Sequence, residues 1–184
     1  MLNQYTRKMK HVRRLLLAVC TLVILGIPAQ KTHARQTSPG EGQLAISAGL
    51  SYGFDIEEIG LRAGATYFLG EEMRIGGDLT YWLVDTQPGV SATYLEFNAN
   101  FHYIFFSENA LMIYGVGALG LHYASVSVDI PGVGTVSDSD SELGLGLGAG
   151  LEYNLGGVSL FAEPKLFLSG FDQFKFNFGI RYYL

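Results

Sequence analysis

Between residues 143 and 155 the sequence reads LGLGLGAGLEYNL, in which an apolar residue alternates with glycine or a polar residue. A period of two places successive side chains on opposite faces of a β-strand. This stretch therefore predicts a strand with a leucine-rich face and a second face that begins with four glycines. Glycine is a poor strand residue because it has no side chain to pack. Its repeated use on one face indicates a surface from which side-chain volume must be removed.

The same two-residue period recurs along the chain, and no stretch after residue 35 shows sustained helical periodicity. Each repeat of the pattern is long enough to cross a membrane as a tilted strand, which takes about 9–11 residues. The predicted strands cover residues 43–54, 57–69, 72–84, 91–105, 110–128, 143–155, 157–168 and 172–184. Strand five has conflicting parities on the two sides of Gly120, and we predict a β-bulge there.

The connections between these strands alternate in length. The short connections are residues 70–71, 106–109 and 154–157, and the mostly longer, polar ones are residues 85–90, 129–141 and 169–171. Short turns at one end and longer loops at the other are typical of outer-membrane barrels. Only the first hairpin, around Asp55, is short where a long loop is expected.

The alternation also predicts which face is inside. The interior of an eight-stranded barrel is only just wide enough to be filled by side chains, and the leucine-rich face would overfill it. We therefore predict that the leucines face lipid and that the glycines and small polar residues face the lumen. Phe161 and Phe167 are expected to lie over Gly144, Gly146 and Gly148, as aromatic side chains do when they cover glycine backbone.

The N-terminus has the parts of a secretory signal peptide. A basic segment precedes the apolar residues 15–27, which are too few to span a bilayer as a helix. Thr32 and Ala34 are small residues at the spacing that a cleavage site requires, so we predict cleavage after Ala34, with cleavage after Ala29 as the alternative. We predict that residues 1–34 are a cleaved signal peptide and that residues 35–184 form one outer-membrane β-barrel domain.

Removal of this leader changes the composition of the chain. Cys20, the only cysteine, is lost with it and follows Val19, so neither a lipid anchor nor a disulfide is expected. Six basic and seventeen acidic residues remain, which gives the mature chain a net charge of −11. A chain this acidic is not expected to bind nucleic acid through its phosphates.

The C-terminal sequence NFGIRYYL resembles the β-signal that the barrel-assembly machinery reads in outer-membrane proteins. The matching residues are Asn177, Gly179, Tyr182 and Leu184, the last of which stands where an aromatic residue is usual. The leader and all eight strands also resemble small OmpX/OmpA-type barrels over essentially the whole mature chain. The resemblance implies an all-β, eight-stranded antiparallel up-and-down transmembrane barrel in the outer membrane of a Gram-negative-type cell. Its expected partners are outer-membrane lipids and, during biogenesis, the assembly machinery; we expect a monomer.

Inward-facing positions carry nearly balanced charge. The predicted polar network of the lumen consists of Arg62, Arg74, Asp78, Glu96, His102, Glu152, Glu163, Lys165, Lys175 and Arg181. Unpaired charges would be costly in a narrow, poorly hydrated interior, so we expect them to pair into a static core. The alternative function for the same residues is a narrow pore for ions or small solutes.

Two other patterns contain residue types that can carry chemistry. A lipid A-modifying barrel enzyme could use His122 and Ser125, but a hydrolase needs its base oriented on the serine, and the His-x-Ser spacing of small barrel deacylases is absent. Asp138, Asp140 and Glu142 have Asp-x-Asp spacing but lack the remaining ligands of a calcium loop. We predict a non-catalytic protein with a structural or surface-interaction role, no cofactor and no metal site.

Overall fold

The computed structural model describes residues 40–132, 134–168 and 172–184. Over these residues the chain forms a closed antiparallel barrel of eight strands, in which each strand pairs with its neighbours in sequence and β8 pairs with β1. The predicted fold class is therefore confirmed. The strands are β1 Leu44–Gly53, β2 Glu58–Phe68, β3 Met73–Trp82, β4 Val90–Glu108, β5 Leu111–Ile130, β6 Gly134–Asn154, β7 Val158–Phe167 and β8 Gln173–Tyr183.

The predicted signal peptide, residues 1–34, and its cleavage positions lie outside the described residues. Within the described part of the chain, no helix is both long enough and apolar enough to cross a membrane.

Side chains alternate between the outside and the inside of the barrel as the two-residue period predicts. On β6, Leu143, Leu145 and Leu147 point outward and are 61–63% exposed, whereas Gly144 and Gly146 between them are buried. Outward apolar side chains of this kind are expected to contact lipid, and inward small residues leave room in a narrow lumen.

Strand β5 differs from the prediction. It pairs regularly with β6 through Gly120, so the bulge predicted there is wrong; the register shift lies in β4, between Ile104 and Phe106. The conflict of parities arises because β5 carries apolar residues on both faces. Those facing inward join a buried cluster, the apolar plug, which consists of Phe68, Ile104, Met112, Tyr114 and Val116.

The predicted loop over residues 129–141 is also wrong in extent. Strands β5 and β6 pair as far as Ile130 and Gly134, and β4 continues alongside as far as Val90, which pairs with Val128. These extensions form a protruding sheet, made of residues 90–94, 122–130 and 134–142. Valines and hydroxyl residues continue to alternate through the segment, which favours strand over loop.

The two ends of the barrel therefore differ. The long-loop end carries the protruding sheet, and the short-turn end carries the connections of residues 69–72, 109–110 and 155–157. Strand β1 begins and strand β8 ends at the short-turn end, where Leu184 N donates a hydrogen bond to Leu44 O. This bond continues the β1–β8 pairing to the last residue.

Aromatic rings lie over two of the inward glycines of β6. A Cβ at Gly150 would lie 2.1 Å from the Tyr114 ring, and a Cβ at Gly146 would lie 3.0 Å from Phe167. Phe167 therefore lies where the sequence predicts, but Phe161 does not: its ring packs against the guanidinium of Arg62, 5.2 Å away. Glycine is used on this face because neighbouring strands place large side chains against it.

Candidate functional site

The lumen holds all ten residues of the predicted polar network, and none of them is more than 6% exposed. They reach one another from different strands because inward positions at the same height of a closed barrel converge on its axis. The structure arranges them in three groups along the lumen, rather than around one centre.

The central group is built around Asp78 of β3. Its Oδ2 lies 2.9 Å from Arg62 Nη2 and 3.7 Å from Lys165 Nζ. The side-chain amides of Asn98 and Asn100 donate hydrogen bonds of 2.9 and 2.6 Å to its Oδ1 and Oδ2. Both carboxylate oxygens are therefore satisfied inside the barrel, as a buried charge requires.

Glu163 extends this group across the lumen. Its Oε1 lies 2.9 Å from Lys165 Nζ and 3.7 Å from Arg62 Nη2, and its Oε2 accepts a hydrogen bond of 3.1 Å from the Tyr114 hydroxyl. Lys165 Nζ also donates to Asn100 Oδ1 at 2.7 Å. The central group thus connects strands β2, β3, β4, β5 and β7.

A second group lies toward the short-turn end, around Glu152. Arg74 Nη1 lies 3.0 Å from its Oε2, and Arg181 and the Tyr183 hydroxyl also donate to this carboxylate. Arg74 Nε donates to His102 Nδ1 at 2.7 Å, and its guanidinium lies 4.2 Å from the centroid of the Tyr114 ring. This group contacts the apolar plug through Tyr114.

The third group lies toward the long-loop end. Lys175 pairs with Glu96, whose Oε1 also accepts a hydrogen bond of 2.6 Å from Asn98 Nδ2. The Lys175 ammonium lies 4.7 Å from the centroid of the Phe167 ring. His122 Nδ1 lies 3.8 Å from Glu96 Oε2.

Sequence reasoning missed several lumen residues. Asn98 and Asn100 could have been found, because they occupy inward parity between Glu96 and His102 on strand four. The aromatic residues of the lumen could not be found in this way. Trp82, for example, faces inward and stacks on Tyr94 with ring centroids 5.9 Å apart. The assumption that large apolar residues face lipid hides rings of this kind.

The candidate catalytic pair is not brought together. His122 faces the lumen and is 2% exposed, whereas Ser125 has the opposite parity and donates a hydrogen bond of 3.4 Å to the backbone oxygen of Asp138. Residues three apart on a strand point to opposite faces of the sheet. Among the described residues, no group of three or more His, Cys, Asp or Glu is placed to hold a metal ion, and Asp138, Asp140 and Glu142 lie in a row on the protruding sheet.

The predicted assembly-signal residues lie on or next to β8. Asn177 points inward and accepts a hydrogen bond of 2.6 Å from Ser51 Oγ, while Tyr182 and Leu184 are exposed on the outside. Gly179 lies opposite Gly49, and a Cβ on it would be 2.3 Å from Ala48 O. The fold alone does not test recognition by the assembly machinery, which stays a prediction.

Charge is sorted by sign between the inside and the outside. Every Lys, Arg and His of the described residues is buried, together with Asp78, Glu96, Glu152 and Glu163. The other acidic residues of that part of the chain are exposed or half-buried, at strand ends, in connections and on the protruding sheet: Glu41, Asp55, Glu57, Glu58, Glu71, Glu72, Asp85, Glu108, Asp129, Asp138, Asp140, Glu142 and Asp172.

Comparison with known proteins gives a family match and several similar structures. Residues 17–184 match the family described as the outer membrane protein beta-barrel domain. No curated protein matches the chain.

Three solved structures illustrate the similarity, which at these identities concerns the fold. The attachment invasion locus protein Ail of Yersinia pestis, in complex with the heparin analogue sucrose octasulfate, has a TM-score of 0.59 and 18% identity, covering 78% of this chain and 99% of that chain. Neisserial surface protein A has a TM-score of 0.54 and 18% identity over 76% and 94% of the two chains. OprG from Pseudomonas aeruginosa has a TM-score of 0.55 and 13% identity over 80% and 99%.

Proposed function

The chain belongs to the outer membrane protein beta-barrel domain family, and from that premise we propose that it is a non-conducting, non-catalytic barrel that presents the protruding sheet outside the cell. It lies in the cell outer membrane, as the family does. The observation that carries the proposal is the filled lumen, in which paired charges and the apolar plug occupy the axis of the barrel.

In this proposal the three charged groups are fixed ion pairs that fill the lumen, and they do not line a path along which ions move. An ion crossing the lumen would have to break contacts such as Arg62–Asp78 at 2.9 Å and Lys165–Glu163 at 2.9 Å. Breaking a buried ion pair by removing one partner costs about 3–5 kcal/mol, which is far above thermal energy. The network therefore supports a closed barrel.

The apolar plug closes the lumen a second time. Phe68 and Tyr114 are fully buried, and Met112 and Val116 are at most 7% exposed. Phe68 lies opposite Arg74 and Met112 opposite Glu152, so at the height of the Glu152 group a hydrated ion would also meet apolar side chains that cannot replace its water. An ion that entered from the long-loop end would still be stopped at the short-turn end.

The orientation of the barrel follows the habit of its class. Outer-membrane barrels have short periplasmic turns and longer extracellular loops, so we place the long-loop end and its protruding sheet outside the cell. This places the start of β1 and the end of β8 at the periplasmic side. Orientation can be tested by cleavage of whole cells with an external protease, which should cut a recognition site inserted at Gly132 and spare one inserted at Gly70.

The surface charge argues for a partner of a different kind from the ligand seen with Ail. That protein was crystallised with a sulfated, strongly anionic heparin analogue. Every charged side chain left exposed on the described part of this chain is acidic, so a polyanion would be repelled. We do not propose heparin-like ligands for this barrel.

Conductance in planar lipid bilayers tests the proposal. The purified, folded barrel should give no stepwise current, whereas a porin added to the same bilayers as a positive control should give steps. In the double variant Met112→Ser with Val116→Ser, both side chains should still point inward, but the plug becomes polar. Stepwise current that appears only in this variant would identify the plug as the barrier to ions. Regular steps from the wild-type barrel would overturn the proposal in favour of a narrow pore.

A further inference from the structure

The protruding sheet has two chemically different faces. On the face that continues the lumen side of the barrel, Val90, Val128 and Val136 lie opposite one another across the three strands. The next row on that face contains Ala92 and Val126. We call the apolar part of this surface the valine face; it consists of Val90, Ala92, Val126, Val128, Ile130 and Val136.

The opposite face carries hydroxyl groups. Ser91, Ser127 and Ser137 form one row across the three strands, and Thr93, Ser125 and Ser139 form the next. Ser127 Oγ and Ser137 Oγ lie 2.8 Å apart. This hydroxyl face continues the lipid-facing side of the barrel, so the valine face is turned away from the membrane and lipid does not cover it.

The valine face is open to solvent. Val126, Val128 and Val136 are 45%, 38% and 55% exposed, and Ile130 is 41% exposed. A sheet face of β-branched apolar residues is normally packed against another layer. An exposed apolar surface with a polar rim is typical of an interaction site.

Carboxylates continue the same face toward the barrel. Asp138 lies opposite Val126, Asp140 opposite Ala124 and Glu142 opposite His122, so the three acids form a row along β6. Among the described residues, strand β7 pairs with β6 only from Gly146 toward the short-turn end, so within that part of the chain this row lies at the free side of the sheet. The apolar and acidic parts are thus contiguous and point in the same direction.

We propose that the valine face and the adjoining carboxylates of Asp138, Asp140 and Glu142 bind a basic amphipathic segment of another protein. Apolar side chains of the partner would cover the valines, and its Lys or Arg side chains would pair with the carboxylates. Charge selects this occupant: a second copy of the chain would bring its own carboxylates against these, and a polyanion would be repelled. The inference rests on the proposed surface-presenting function.

The test uses the full folded barrel in nanodiscs of zwitterionic lipid and a synthetic peptide of alternating leucine and lysine as the probe. Empty nanodiscs correct for adsorption of the peptide to lipid. Binding is measured by titration calorimetry, and the same preparation is assayed for conductance. Poly-lysine, which has the charge without the apolar face, and heparin serve as comparison ligands.

Two variants separate the parts of the surface. Val126→Thr with Val128→Thr and Val136→Thr keeps β-branched shape while replacing a methyl group by a hydroxyl group at each position. Asp138→Asn with Asp140→Asn removes charge. We expect each variant to weaken binding of the leucine–lysine peptide by about tenfold or more, the loss that ~1.4 kcal/mol produces. Ser127→Ala with Ser137→Ala, on the opposite face, should bind as the wild type does.

The outcomes are distinct. Unchanged peptide binding in the threonine variant would overturn the role of the valine face, and heparin binding at least as tight as the peptide would overturn the choice of a basic partner. Concentration-dependent dimers of the wild type, abolished by the threonine substitutions, would identify a second copy as the occupant instead. If the wild-type barrel does not bind the leucine–lysine peptide and does not conduct, the binding proposal is overturned and the proposed closed barrel is retained. If the wild-type barrel conducts, the proposed closed barrel is overturned, whatever the peptide-binding result.

Discussion

Lys165 Nζ lies 2.9 Å from Glu163 Oε1, although the two residues are only two positions apart on β7 and both side chains are fully buried. Their shared parity places both in the lumen, where Arg62 and Tyr114 also contact Glu163. One carboxylate thereby holds side chains from three strands in place. The charge balance of the central group depends on it.

Glu163→Gln should destabilise the barrel by about 3 kcal/mol or more, because the amide keeps the shape of the side chain but leaves Lys165 and Arg62 under-compensated in a buried site. The free energy of unfolding is measured by urea titration in lipid vesicles. Glu108→Gln is the matched control, since this exposed glutamate should change stability by no more than about 0.5 kcal/mol. Equal midpoints for Glu163→Gln and wild type would show that the central group does not act as a network.

Gly150→Ala should cost about 1–3 kcal/mol, because the added Cβ would lie 2.1 Å from the Tyr114 ring and a packed lumen gives little room to move. Gly117→Ala is the control: it lies on the neighbouring strand, and a Cβ there would meet nothing within 4 Å. The same urea titration compares the two. Similar losses at both positions would mean that lost glycine conformations, rather than contact with Tyr114, decide the effect.

Leu147→Arg should cost about 2–4 kcal/mol, the price of a cation facing the middle of the bilayer. Leu155→Arg, in the turn at the short-turn end, should cost no more than about 1 kcal/mol because the side chain can reach water. The measurement is the folding yield in vesicles of short-chain phosphatidylcholine. On a gel, the folded, unheated barrel migrates differently from the heat-denatured chain, and the fraction with the folded mobility gives the yield. Equal yields for Leu147→Arg and wild type would contradict the assignment of this face to lipid.

Deletion of residues 182–184 should block assembly. It removes part of the predicted assembly signal and leaves backbone groups of β1 unpaired, among them Leu44 O, which accepts the hydrogen bond from Leu184 N. Each unpaired group costs several kcal/mol in hydrocarbon. The folded fraction recovered in outer-membrane vesicles from a bacterial host measures the outcome.

Leu184→Phe is the companion to that deletion. It keeps the outward position and places an aromatic residue at the terminus, so it should assemble as well as the wild type or better. Normal recovery of the truncated chain would refute the assembly signal. Poor recovery of Leu184→Phe would show that packing at the seam, and not recognition of the terminus, decides assembly.

Strand parity was predictable because lipid and lumen demand opposite chemistries on successive residues. The sequence of β6 therefore indicated both the strand and its inward glycines. The failure at β5 has a physical cause: Tyr114 and Val116 are apolar yet face inward, where they pack with Phe68 and Met112 in the apolar plug. A rule that sends apolar residues to lipid cannot find an apolar layer inside the barrel.

The protruding sheet was missed for a related reason. Its acidic and serine residues have low or moderate strand propensity and suggest a solvated loop, but pairing with β4 and β5 supplies the hydrogen bonds that make strand favourable. The sequence also could not predict which cation of the polar network pairs with which acid. The five cations and four acids could be placed in the lumen by parity, whereas the choice of Glu152 for Arg74 and Arg181 depends on the relative heights of strands β3, β6 and β8.

Burial of the basic residues also means that the charge accessible on the chain changes when the barrel closes. Before the strands close, the cations at Arg62, Arg74, Lys165, Lys175 and Arg181 are available to anionic surfaces, and the polypeptide is amphoteric. Closure withdraws all five into the lumen, so the described part of the finished barrel presents a unipolar, anionic exterior. Repulsion from negatively charged lipid headgroups should therefore be weaker for the unfolded chain than for the folded barrel, and should increase when the strands close.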